Sequence, residues 1–222
     1  MRRNRNFAGL DSAAISQLAG YLQKTPEEVV ATNPRKKQLL FKTTVQHKPL
    51  IAKQYLHQAW KHRLASFCGQ SKADHYCLIA SYLKREGLPV PAPVLLLKAG
   101  RRLLPERSLY VMESVNGDML YHRLHDLEND PDRLAIVAKN VADLIVKLRQ
   151  AGIIHRDLNT KNFLLSPENE LHLIDFDSAS RHGIRGKRFV RRHQRDIETF
   201  LSTCREGPKL AQAVRLALGS LK

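Results

Sequence analysis

Acidic side chains, cysteines and long apolar runs are all scarce in this 222-residue chain, and each shortage narrows the field. The three cysteines, Cys68, Cys77 and Cys204, are odd in number and form no CxxC pair. They make a poor disulfide framework, so a reducing compartment is the simpler reading. The most apolar segment, Val94 to Leu97, falls far short of the roughly 20 residues that span a bilayer. Arg2, Arg3 and Arg5 open the chain, but Asp11, Ser12 and Gln17 interrupt the apolar run that a secretory signal needs, so secretion is not expected. The histidines show neither HxxxH nor a Cys/His spacing, and no zinc site is expected. With 21 Asp and Glu against 37 Lys and Arg, the net charge of +16 calls for an anionic partner: nucleic acid, an anionic lipid surface or a phosphorylated glycan. Charge alone does not choose among them.

What is present is ordinary for a folded protein: 43% hydrophobic and 26% charged residues, in a length suited to one substantial core. Asp11 or Ser12 can cap a first helix with Ile15, Leu18, Ala19 and Leu22 on one face. Gln38 to Val45 and Pro49 to Tyr55 read as a hairpin, and Ser108 to Val115 as a further strand. Ser71 can cap a helix running to about Arg85, with Gly87 as its stop. Asp130-Pro131 starts a longer helix whose Leu134, Val137, Val141, Leu144, Ile145 and Leu148 form one apolar stripe. Asn162 to Leu165 and Leu171 to Phe176 then form a second hairpin around Ser166-Pro167-Glu168-Asn169. Strands first, then a helix and a hairpin, indicate an α+β fold.

The strongest chemical signal is His155-Arg156-Asp157-Leu158-Asn159-Thr160-Lys161-Asn162, which fits the kinase catalytic-loop pattern HRDLxxxN without a gap. Thirteen residues after Asn162 comes Asp175-Phe176-Asp177, in the place of the kinase DFG motif. Phosphoryl transfer through a loose transition state needs positioning and charge neutralisation more than covalent help. Asp157 is therefore read as the base that orients the acceptor hydroxyl, and Asn162 and Asp175 as the hard-oxygen ligands of Mg²⁺ bound with ATP. Lys161, beside the metal ligand, is placed to reach the transferring phosphate. Lys53 ends a strand resembling the kinase V-A-I-K strand and is read as the clamp on the α- and β-phosphates. Leu109 to Val115 resembles the kinase hinge. That likeness implies adenine contacts from the backbone of Glu113 and Val115, with Asp118 near the ribose. His155 is read as a strut of the catalytic loop.

Together these motifs resemble the lipopolysaccharide kinases that phosphorylate Kdo or heptose in the inner core of Gram-negative lipopolysaccharide, over roughly Leu39 to Leu201. The DFD ending and the run Gly87-Leu88-Pro89-Val90-Pro91 are part of the likeness. The resemblance implies a single domain of protein-kinase-like, two-lobed fold. Residues 1–30 would be a helical appendage, about 33–115 a small antiparallel-sheet N-lobe, and about 116–222 a truncated, mainly helical C-lobe. It also implies that Asp196 braces the catalytic-loop backbone. Departures are plain: no glycine lies between Asn33 and Val45, so no GxGxxG precedes Lys53, and no APE follows Asp175 in the remaining 47 residues. Between Lys53 and Glu86 the one acid is Asp74, a weak stand-in for the helix glutamate that kinases pair with the lysine, and Tyr76 stands in the usual acidic position.

Arg181, Arg185, Lys187, Arg188, Arg191, Arg192 and Arg195 form an acid-free run after the magnesium motif. Arg188, Arg191 and Arg192 are its candidate contacts to an anionic substrate or leaflet. The expected activity is phosphate transfer from ATP to a glycolipid sugar, on the cytoplasmic side and at the face of the inner membrane. The alternatives are a small RIO-like protein kinase and a pseudokinase that binds nucleic acid or a protein partner.

Overall fold

The computed structural model describes residues 5–22, 29–33, 38–56, 71–101, 104–184 and 186–220, so Cys68, Arg185, Arg2 and Arg3 lie outside the described residues. Contacts divide the chain into two compact units, 1–81 with 92–114 and 82–91 with 115–222.

The first unit is built on a six-stranded antiparallel sheet in the order β1-β5-β6-β4-β3-β2. Its strands are β1 (Arg5–Asn6), β2 (Val29–Asn33), β3 (Gln38–Val45), β4 (Lys48–Leu56), β5 (Pro93–Arg101) and β6 (Leu104–Glu113). Helix α1 (Ser12–Gly20) begins where the Asp11 carboxylate accepts the Ala14 N–H at 2.8 Å. Leu10, Ala14, Leu18 and Leu22, on and beside that helix, are buried in one cluster with Phe41, Val45, Leu50, Ala52, Val94, Leu95, Leu97, Leu109 and Val111 of the sheet. The segment expected as an appendage is thus part of the core. Because side chains alternate along a strand, Lys53 and Tyr55 lie on the sheet face opposite Ala52, and so does Tyr110, which pairs with Lys53 in register.

The β3–β4 turn is Gln46-His47, both at positive φ (50° and 61°), a two-residue hairpin without the glycine or asparagine that usually signals one. Helix α2 (Lys72–Arg85) starts in a reciprocal cap: the Asp74 carboxylate accepts from the Ser71 N–H and hydroxyl, and Ser71 Oγ accepts the Asp74 N–H. Residues 34–37, where kinases carry their glycine-rich loop, lie outside the described residues.

In the second unit, helix α3 (Leu120–Glu128) is followed by α4 (Pro131–Gln150), which the Asp130 side chain caps by accepting the Arg133 N–H at 3.0 Å. All six apolar positions of the expected stripe are buried. Then come β8 (Ile153–Ile154), a 3₁₀ turn over Thr160–Asn162, β9 (Phe163–Leu165), β10 (Leu171–Leu173), β11 (Ser180–Arg181), α5 (Lys187–Thr203) and α6 (Pro208–Ser220). The strand β7 (Asp118–Met119) adds to the edge of β9. Gly117 admits this close approach, since a Cβ there would lie 2.8 Å from the Leu165 carbonyl oxygen. Gly152 holds the entry to β8 at φ 69°, with the His182 oxygen 2.4 Å from where a Cβ would sit. Among the described residues no helix is long and apolar enough to cross a membrane.

Candidate active site

The loop after β8 is held by one buried carboxylate. Asp196 on α5 accepts the backbone N–H of His155 at 2.7 Å and that of Arg156 at 2.9 Å. Burial pushes its pKa up, and the two N–H bonds pull the other way. Arg156 sits at φ 66°, a conformation a non-glycine residue keeps only when its surroundings impose it. The two charge-assisted bonds from its own and the preceding N–H supply that constraint. The expected bracing role of Asp196 has this geometric counterpart.

His155 is fully buried, with its ring 5.6 Å edge-to-face from Phe176 and Nε2 3.2 Å from the Ile174 carbonyl oxygen. The Nε2–H tautomer donates there. The Ile174 N–H in turn donates to the Asn162 carbonyl at 2.9 Å. The two peptide groups of one residue, Ile174, therefore tie the loop carrying Asp157 and Asn162 to the segment carrying Asp175. Asp175 itself stands at φ 62°, a second strained non-glycine position.

Within the loop, Asn162 Nδ2 donates to the Asp157 carbonyl at 2.7 Å, which turns Oδ1, a hard oxygen, to the other side of the amide. Asn159 Nδ2 donates to Asp157 Oδ1 at 2.8 Å, and Asn159 Oδ1 accepts the Lys161 N–H at 2.9 Å. The base candidate is oriented and the 3₁₀ turn capped by one side chain that sequence reasoning passed over. The chemistry of the set fits a hard divalent cation: an amide oxygen and a carboxylate, on two segments joined through Ile174. Lys161 is exposed, with its ammonium 4.7 Å from the centre of the Tyr121 ring. Asp118, largely exposed, lies 3.5 Å from Arg123 Nε, and Val115 is half-buried.

In the first unit, Lys53 is 8% exposed, its ammonium 4.9 Å from the Tyr76 ring centre and 5.6 Å from that of Tyr55. Asp74, read from the sequence as a weak partner for Lys53, instead bonds Lys98 Nζ and Ser71. Burial raises its pKa, but the Lys98 and Ser71 bonds overcome that and hold the carboxyl below its ordinary value. The Glu113 N–H donates to the Ala92 carbonyl at 3.0 Å, which fixes the end of β6.

Helix α5 buries Phe189, His193, Asp196 and Phe200 on one face, leaving Arg188, Arg191 and Arg195 exposed and Arg192 half-buried. Arg192 has a lowered pKa, owing first to Arg188, then to partial burial, Arg156 and Arg195. The basic run thus reaches the residue beside Asp157. Arg181 stacks over the Tyr82 ring at 4.2 Å.

The sequence matches the lipopolysaccharide kinase (Kdo/WaaP) family over residues 22–205. The fold is similar to that of WaaP solved in complex with acyl carrier protein, with TM-score 0.66, 16% identity, and coverage of 98% of this chain and 89% of that one. Among curated relatives, protein kinase C eta type of Mus musculus is 37% identical over 73 residues, 32% of this chain and 11% of that protein. The hormonally up-regulated neu tumor-associated kinase of Homo sapiens is 36% identical over 85 residues, 36% of this chain and 12% of that protein. The chain therefore spans only about a tenth of the length of these two relatives.

Burial lowers the His155 pKa below the ordinary histidine value, against the pull of Asp196, the Ile174 carbonyl, Asp175 and Asp157. His172, His182 and His193, in the same unit, shift the same way, burial again the largest cause. A depressed folded-state pKa means that the stabilisation is complete above the unfolded value near 6.5 and is lost as pH falls below it. We predict that the unfolding free energy, measured by guanidinium titration, falls between about pH 7.5 and 5.5, by up to about 1.4 kcal/mol per pH unit for one such histidine. His155→Gln should flatten part of that slope. A mutant slope equal to wild type would contradict the assignment.

Proposed function

The chain belongs to the lipopolysaccharide kinase (Kdo/WaaP) family, and from that membership we propose that it transfers the γ-phosphate of ATP to a Kdo or heptose hydroxyl of the lipopolysaccharide inner core. The observation that carries this reading is the clamp on Ile174: His155 and Asn162 bond its two peptide groups, so the Asp157–Asn162 loop and Asp175 form one catalytic assembly. Asp157 is the group that orients the acceptor hydroxyl and takes its proton as the phosphoryl group leaves ADP. Lys53 binds the α- and β-phosphates, the backbone at Glu113 and Val115 receives the adenine, and Asp118 the ribose. Lys161 is assigned to the transferring phosphate, which it meets by leaving the Tyr121 ring. Asn162 and Asp175 would hold Mg²⁺, which when bound neutralises charge on the phosphate oxygens. His155 and Asp196 support the loop without touching substrate.

The basic face of α5 supports a peripheral placement on the anionic cytoplasmic face of the inner membrane, where Arg188, Arg191 and Arg192 meet phosphate groups of the glycolipid or leaflet. Those charges are screened within about 10 Å at moderate salt, so the contribution is local and salt-sensitive.

Asp157→Ala should leave ATP binding near wild type while single-turnover transfer to purified lipopolysaccharide falls by roughly 10²–10⁴-fold or more. The comparison needs matched far-UV and near-UV dichroism, because the Asp157 side chain also accepts from Asn159 Nδ2. Transfer at the wild-type rate by the folded mutant would sink the mechanism. If the acceptor is a protein instead, as in the RIO-like alternative, phosphate will appear on polypeptide and not on glycolipid. For the basic face, replacing Arg188, Arg191 and Arg192 with glutamine should weaken binding to vesicles containing anionic lipid and flatten its salt dependence. Unchanged vesicle binding would return these arginines to an ordinary solvated face.

A further inference from the structure

Helix α5 carries a stripe that ends at the catalytic loop. Arg188, Arg192 and Asp196 recur every four residues and so share one face. Asp196, at the end of the stripe, accepts the Arg156 backbone N–H at 2.9 Å, which brings that residue to the helix. From the other side, β11 pairs with β8 and the Gly152 carbonyl accepts the His182 N–H at 2.7 Å. His182 thus lies beside the strand that enters the same loop, its Nε2 fixed at 2.8 Å from Ser180 Oγ. The four basic side chains act on one another. Burial lowers the His182 pKa first, and Arg192, Arg156 and Arg188 add to it; Arg192 is itself lowered by Arg188, then by burial, Arg156 and Arg195. Among the described residues no carboxylate is paired with Arg156, Arg188 or Arg192, and Asp196 gives both its oxygens to the loop backbone. Like charges four residues apart destabilise a helix, and the packed face of α5, Phe189, His193, Asp196 and Phe200, needs none of them.

We infer that Arg156, Arg188, Arg192 and His182 form a receptacle for a phosphate monoester already present on the acceptor, one residue from Asp157. The inference rests on the reading of the chain as an inner-core kinase and deepens it: the acceptor is glycolipid that an earlier phosphoryl transfer has marked. A phosphate monoester offers charge and several acceptor oxygens to guanidinium forks, which bind it in a fixed geometry. Bound there, it relieves the repulsion among the arginines. The main chain of Arg156 is pinned by Asp196 in the loop that carries the base, so an anion in the receptacle lies at a set distance from Asp157. That constraint orients a substrate, whereas a leaflet headgroup needs only a charged surface. The receptacle therefore selects which hydroxyl reaches Asp157.

The test is steady-state kinetics of the full chain with ATP and lipopolysaccharide from cells lacking the gene, held in neutral-detergent micelles, either intact or stripped of its phosphate monoesters by a phosphatase. Wild type should show a KM about tenfold higher for the stripped acceptor than for the intact one. Arg156→Gln keeps the backbone N–H that Asp196 holds, and Arg192→Gln lies on the helix, away from the loop. Each should raise the KM for intact acceptor about tenfold, bringing the two acceptors level, with the KM for ATP within about twofold of wild type. Where Arg156→Gln disturbs the loop, Arg192→Gln carries the test. Equal wild-type KM values for the two acceptors, or a rise in the variants as large for stripped as for intact acceptor, overturns the receptacle alone. A preference that appears only when anionic lipid is added to the micelles gives these arginines to leaflet headgroups and overturns it too. No transfer by wild type to either acceptor overturns the inner-core reading and the inference with it.

Discussion

The Asp196 carboxylate carries the largest structural burden in the second unit. It is 5% exposed and accepts two backbone N–H groups from consecutive loop residues, one of them in the left-handed region. Removing it would strand the buried His155 donor and the part-buried Arg156 donor and release Arg156 from a conformation its side chain disfavours, and each consequence costs of order 1–3 kcal/mol. The rest of the site follows from that fixed point. His155, once placed, reaches the Ile174 carbonyl, the Ile174 N–H meets Asn162, and the amide of Asn162 closes on Asp157. Desolvation keeps His155 neutral, so the chain of bonds holds without charging a buried ring. Two strained residues, Arg156 and Asp175, flank the assembly, and both lie where backbone geometry must aim a functional group.

The first unit solves a different problem, which is holding a nearly buried cation in place. The rings of Tyr55 and Tyr76 lie within about 6 Å of the Lys53 ammonium, and Asp74 serves as helix cap and strand anchor. Asp74 is drawn to Lys98, and the ring of Tyr76, two residues along α2, lies 4.9 Å from the Lys53 ammonium. The same unit buries α1 into the sheet.

Much of this was legible in sequence because the signals were local. Asp130-Pro131 and the six-residue stripe located α4, Ser71 marked the start of α2, and the unbroken spacing from His155 to Asn162 marked the loop. What escaped depended on partners distant in sequence or on weak local chemistry. The Gln46-His47 turn has no glycine, so the second strand of the hairpin is expected from Pro49, one residue after it begins at Lys48. β5 was read merely as the most apolar segment, and α3 and α6 have no strong cap in sequence. The Asp74–Lys98 pair joins residues 24 apart, and the period of a strand alone does not show which helix residue covers Lys53. Asn159 was overlooked since its value lies in two short-range bonds that only the folded turn creates.

The central claim is that this assembly adds phosphate to an inner-core sugar, and the measurement closest to it is mass spectrometry of lipopolysaccharide core from cells lacking the gene, restored with the wild-type chain or with Asp157→Ala. The account predicts cores one phosphate heavier, on a Kdo or heptose, with the wild-type chain alone. Cores of identical phosphate content in all three strains would contradict it.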